Sequence, residues 1–139
     1  MAQERFEFLL TTSAAVFFAA ATALLFAPEE ILSFVGVEGT GFDRALLQMI
    51  AAALFGFSML NWMNRRSRIG GIYGRPVVVA NFSHAAIATA MLVRVVPGSE
   101  TRWSAWAVLS AYALLTVAFA WKLFHSPRPV DEGGERSPV

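Results

Sequence analysis

Four polar residues stand within or at the end of long apolar runs. Asn61 lies near the close of one run, and Asn81, Ser83 and His84 interrupt the next. Amides and hydroxyls hydrogen-bond between helices; an imidazole does the same and can also relay protons or ligate a metal or macrocycle. Between the two runs lies a compact basic loop, with Arg65, Arg66, Arg68 and Arg75 set around Gly70, Gly71 and Gly74. Arginines beside exposed glycine N–H groups suit an anion, here an anionic lipid headgroup or a phosphate. The plainer reading is a loop that sets orientation, with glycines for a tight return. Its spacing is not that of a nucleotide-binding loop.

The elements that must position these residues follow from composition. The chain has 139 residues, 56% hydrophobic and 15% charged, with a mean hydropathy of +0.53, too apolar for an ordinary soluble domain. A helix needs roughly 20 apolar residues to cross the hydrocarbon core of a bilayer. Stretches 8–27, 45–63, 76–93 and 103–121 contain no acidic or basic residue. The expected fold is all-α: an integral membrane four-helix bundle of up-down topology, with spans at about 8–27, 44–64, 76–96 and 103–124. Residues 1–125 form the bundle and 126–139 a polar cytoplasmic tail, rich in proline, glycine and charge. The first run exceeds the ordinary core of a signal peptide, and Leu25-Phe26-Ala27 is a poor cleavage site, so it is read as a span.

Local signals refine the boundaries. Residues 1–7 read as a short polar lead. Ala15, Ala19, Ala23 and Ala27 recur every fourth residue, a small-residue stripe that lets another helix approach closely. Ala52 and Gly56 make a similar pair. Pro28 closes the first span and opens one or two turns of amphipathic helix, which end in a glycine-rich turn at Gly36, Gly39 and Gly41. Asp43 suits the N-cap of the second span. Pro76 fits only the first turn of the third, because it has no N–H to donate. The segments Ala21-Thr22-Ala23-Leu24-Leu25 and Ala88-Thr89-Ala90-Met91-Leu92 hint at a two-plus-two repeat, of a kind that alanine-rich spans also produce by chance.

Charge gives orientation. With both termini and the central loop on one side, that side holds eight of the 11 Lys and Arg, and the other holds Arg44, Arg94 and Arg102. The positive-inside rule then places both termini in the cytoplasm of a cell whose inner (plasma) membrane carries the protein. Trp62 and Trp121 fall near the inner interface, Trp103 and Trp106 near the outer one. At about 1.5 Å per residue from Pro76, Asn81 lies roughly 7 Å deep and His84 roughly 12 Å. Asn61 reaches a similar depth to Asn81 from the second span. The four polar residues are therefore expected to form one cluster in the inner leaflet. It serves either as interhelical glue or as a pocket for a lipid, quinone or pigment, a proton relay, or a ligand set at His84. As glue, His84 would bond Asn81, Asn61 or a backbone carbonyl.

Several classes are excluded or disfavoured. No Asp or Glu lies inside a span, so a buried acid–base pair is missing and an ion-coupled transporter is weakened. No histidine–carboxylate spacing suits a metal, no serine has a recognisable base, and there is no cysteine. A net charge of +1 lacks the basic excess that nucleic acid demands. Ala80, four residues before His84, leaves room for a flat macrocycle, but a haem wants a second histidine at matching depth, and His125 sits at the membrane edge. No cofactor is expected, and the chain reads as a non-enzyme.

The segments Gly56-Phe57-Ser58-Met59-Leu60-Asn61-Trp62-Met63, Gly70-Gly71-Ile72-Tyr73-Gly74-Arg75-Pro76 and Asn81-Phe82-x-His84 resemble a family of small uncharacterised bacterial membrane proteins with four spans. The likeness covers roughly residues 28–93 and implies a fold but no catalytic residues. In architecture alone the chain is also similar to DoxX-like proteins. The expected role is an accessory or structural subunit acting through helix–helix and lipid contacts, as a homo-oligomer or in a larger membrane complex. Its lipid partners would be anionic. The alternative is a small carrier or channel, or a protein binding a hydrophobic ligand at the inner-leaflet cluster.

Overall fold

A computed structural model of the chain describes residues 2–67, 74–98 and 103–125. Among these residues there are five α-helices and no strand. They run α1 (Ala2–Phe26), α2 (Pro28–Val35), α3 (Gly41–Asn64), α4 (Gly74–Val95) and α5 (Trp103–His125), with a single 3₁₀ turn at Val96–Gly98. Helices α1, α3, α4 and α5 are each long and apolar enough to cross a membrane. The all-α four-helix bundle expected from the sequence is the fold observed. The proposed 126–139 tail lies outside the described residues, as do Arg68 and the Gly70–Tyr73 part of the loop.

Boundaries shift in two instructive places. The polar lead is not a lead: α1 begins at Ala2, and Phe6 in its second turn is completely buried. Good helix formers (Gln3, Glu4, Arg5) start the helix before the apolar run does. Asp43 is not the N-cap of α3. Thr40 is, and Asp43 is the third residue of a capping box: the Thr40 N–H donates to Asp43 Oδ2 at 2.8 Å, and the Asp43 N–H donates to Thr40 Oγ1 at 3.3 Å. The amphipathic turn after the first span is α2, with Pro28 at its start as expected. Gly36 ends it in the left-handed region (φ 79°), where its N–H and that of Val37 cap the carbonyls of Ser33 and Leu32. An Arg44–Glu29 ion pair ties α2 to the start of α3.

The bundle is two antiparallel pairs, α1 with α3 and α4 with α5, each packed closely along its length. Ser58 shows how close the first pair comes: its hydroxyl donates to the backbone carbonyl of Ala14 at 2.9 Å. Small buried residues, Ala14 and Ala21 facing Ala51 and Ser58, make that seam. The stripe read from the sequence is a different one. Ala15, Ala19 and Ala23 are exposed, off the seam with α3, and Ala27 is half-buried. Ala52 and Gly56 are exposed as well.

Side chains rather than backbones join the two pairs. At the end of the bundle where α1 begins, Phe6 and Leu10 of α1 meet Val77 and Val78 of α4 and Phe119 of α5, with Leu60 of α3 against them. Further along, Phe17 and Ala21 pack with Leu54, with Phe57 and Leu115 beside them.

Candidate functional site

Asn61 of α3 meets Asn81 of α4, and one helical turn further along α4 four rings converge. Asn61 and Asn81 are both fully buried. Asn61 Nδ2 donates to Asn81 Oδ1 at 2.9 Å, and Asn81 Nδ2 donates to Asn61 Oδ1 at 2.6 Å. Asn81 Nδ2 also donates to its own helix, to the Val77 carbonyl at 2.9 Å. In this reciprocal pair each amide donates to the other and accepts from it. A stranded amide in hydrocarbon would be costly, so the pair fixes α3 against α4 at one register.

His84 sits one turn further along α4, half-buried, and does not bond either asparagine. Its ring stacks on Phe57 (centroids 4.6 Å apart, 28° between planes) and meets Phe17 edge-on at 5.9 Å. Tyr112 meets it on another side at 5.7 Å, with the phenol oxygen 3.4 Å from Nε2. One aromatic ring from each spanning helix thus converges on the same level: Phe17 from α1, Phe57 from α3, His84 from α4 and Tyr112 from α5. The expected partners of His84 are corrected accordingly. Its polar neighbour is Tyr112, and apolar rings cover the rest.

Ser83 is not part of the cluster. It is exposed, because two residues beyond Asn81 a helix has turned about 200° and faces the other way. Asn81 and His84, three apart, share the inward face as expected. Sequence reasoning missed Tyr112 and the hydroxyl pair Thr89 and Thr116, whose Oγ1 atoms lie 3.0 Å apart between α4 and α5. Thr89 donates to the Ala85 carbonyl and Thr116 to that of Tyr112, each at 2.8 Å. Tyr112 carried a usable signal: it is a lone polar aromatic near the middle of its span, at a depth matching His84. Among the described residues no buried side-chain nitrogen or oxygen lacks a hydrogen-bond partner, and no group of three or more His, Asp or Glu is placed to hold a metal.

Of the described arginines of the loop, Arg66 and Arg75 are exposed and Arg65 is half-buried. Arg65 lies over the Trp62 ring, 3.7 Å from its centroid, and Nη1 donates to the Trp62 carbonyl at 2.6 Å. Arg66 Nε is 3.6 Å from Glu7 Oε1, an exposed pair between α3 and α1. Arg75 is exposed in the first turn of α4. Gln3 Nε2 donates to the Ser67 carbonyl at 2.9 Å, so the first turn of α1 holds the end of α3.

The class these features define is a multi-pass helical-bundle membrane protein, by helix length and composition. Set against protein-family models, curated proteins and solved structures, the chain matches none of them.

Proposed function

We propose that the chain is an accessory or structural membrane subunit that acts through its outer helix faces and through lipid, with an interior reserved for holding itself together. The Asn61–Asn81 pair carries this reading: the two most buried amides, which a pocket would turn toward a ligand, are spent on one another. The full pairing of buried polar side-chain atoms among the described residues supports it too. The exposed small residues Ala15, Ala19 and Ala23 of α1 suit close approach by a helix of a second copy or of a larger complex. Arg65, Arg66, Arg68 and Arg75 fit anionic headgroups at the inner surface, and the lysine and arginine count supports an orientation with both termini in the cytoplasm of a bacterial cell. Cysteines placed at Ser67 and Gly39 check that orientation. Labelling in intact cells should reach position 39 and spare 67; the reverse would overturn it.

The main test is purification in mild detergent, followed by sizing, an absorption spectrum and mass spectrometry of extracted small molecules. The expected result is a self-associated or complex-bound chain with lipid and no stoichiometric chromophore or quinone. A stoichiometric organic ligand that is lost on changing His84 would overturn the reading.

A second reading has one observation in its favour. The His84–Tyr112 contact is long for a hydrogen bond, at 3.4 Å, and both residues are only half-buried. A ligand carbonyl, of a quinone or lipid, would find two polar groups among rings there. This is the hydrophobic-ligand alternative, with Asn61 and Asn81 as the wall below rather than as contacts.

A further inference from the structure

The short helix α2 has two unlike sides. Glu29, Glu30 and Ser33 share one, three and four residues apart, while Ile31, Leu32 and Val35 share the other. No residue of α2 is buried. Leu32 rests against the turn that follows, where a side-chain carbon added at Gly39 would collide with it. Ile31 is half-buried. Val35 is exposed, as are Phe26 before the helix and Val37 and Phe42 after it. A helix this short is marginal in water by itself and is held by what packs on its apolar side. The described residues of the chain supply only part of that cover.

We propose that α2 lies in the plane of the bilayer interface, with Ile31 and Val35 against lipid and Glu29 and Glu30 toward water. The leaflet it suits is one of zwitterionic headgroups. The inference rests on the membrane reading above and adds to it a lipid-facing surface outside the four spans.

Three observations fit that occupant. The first is position. Only Ala27 separates α2 from the end of α1, and residues 36–40 lead from it to the start of α3. Both neighbours are candidate spans, so α2 is tied at each end to the level where a span leaves the hydrocarbon. Trp103 and Trp106, both exposed, open α5 at this same end of the bundle, as rings at headgroup level do. The second is rotation. Arg44 of α3 pairs with Glu29, which turns the opposite side of α2, with Ile31 and Val35, away from α3. That side continues the exposed apolar surface of Phe26 and Phe42 at the ends of the two spans. An interfacial helix sinks such a side about 5–10 Å into the boundary of headgroups and acyl chains. The third is charge. Between residues 28 and 44 the acids Glu29, Glu30, Glu38 and Asp43 stand against one base, Arg44. Anionic headgroups would be repelled here, so apolar contact supplies the attraction.

The chain has no cysteine, so single cysteines in the whole protein can carry a nitroxide without other changes. In phosphatidylcholine nanodiscs, the ratio of oxygen to nickel-chelate accessibility reads lipid against water. Labels at Ile31→Cys and Val35→Cys should give a ratio several-fold higher than labels at Glu30→Cys and Ser33→Cys. Added salt should leave that ratio unchanged, and phosphatidylglycerol should lower it. Val37→Cys, just past the helix, should also read lipid and serves if a label at Val35 lowers the melting temperature. Leu114→Cys, exposed in the middle of α5, is the hydrocarbon reference. Nickel access at positions 31 and 35 equal to that at position 30 would overturn the proposal. So would shielding of both positions from both reagents, which would mean that a second copy or another protein covers α2. A ratio that rises in phosphatidylglycerol would contradict the preference for zwitterionic lipid. If the Leu114 label itself reads water, the membrane reading fails, and the α2 proposal with it.

Discussion

Truncating His84 to alanine is expected to lower the unfolding free energy by about 2–3 kcal/mol, and His84→Phe to recover most of that loss. The imidazole touches Phe17, Phe57 and Tyr112, with centroids 4.6–5.9 Å away. Aromatic pairs of this geometry contribute roughly 0.5–1.5 kcal/mol each, and the space left behind adds a further cost. Phenylalanine restores the ring and gives up only the long contact to the Tyr112 hydroxyl. Interhelical hydrogen bonds in membranes average about 0.6 kcal/mol. Unfolding in mixed micelles, with mass spectrometry of small molecules retained by each variant, separates the two readings of this site. A structural His84 predicts that stability follows the ring and that nothing bound is lost. If His84→Phe folds like the parent but sheds a bound quinone or lipid, the ring is a binding site and the subunit reading fails there.

Asn81→Leu is the second large change. It removes one half of a reciprocal pair and leaves the Asn61 amide fully buried among apolar groups with neither its donor nor its acceptor answered. Stranding a buried polar group costs about 1–3 kcal/mol, more than the bond itself contributes. The Val77 carbonyl loses a second donor but keeps its place in the helix. Asn81→Gln is expected to be less damaging than leucine yet still harmful, since the longer amide cannot meet Asn61 in the same register. Thermal unfolding of both variants in one detergent checks the order. A leucine variant as stable as the parent would mean that Asn61 finds another partner.

Spans were legible because crossing a bilayer is a demand on length and polarity, and both are written in sequence. Helix faces were far less so. In a soluble helix the buried stripe differs chemically from the exposed one; here both core and lipid-facing positions are apolar, and the periodic signal fades. That is why the exposed stripe at Ala15, Ala19 and Ala23 looked as good as the real seam at Ala14 and Ala21. Polar residues restore the signal, and depth alone put Asn61 and Asn81 at one level, within a cluster that also took in Ser83 and His84. Ser83 was grouped with them by closeness in sequence, although helical rotation turns it away. Depth could have put Tyr112 level with His84, but which face of α5 turns to α4 is set by packing at Phe119 and the Thr89–Thr116 contact, which no local pattern records. Thr40 lost out to Asp43 for a simpler reason: in a capping box both residues carry cap chemistry, and only the backbone says which comes first.

The account stands on the claim that the interior amides exist for each other. A double-mutant cycle at Asn61 and Asn81 measures that directly, using Asn61→Leu, Asn81→Leu and the double variant in mixed-micelle unfolding. The expected result is strong non-additivity: each single variant strands its partner, and the double variant is less damaged than the two losses summed, by about 0.6–1.7 kcal/mol or more. Losses that simply add would contradict the account, because two amides that donate to and accept from each other cannot fail independently.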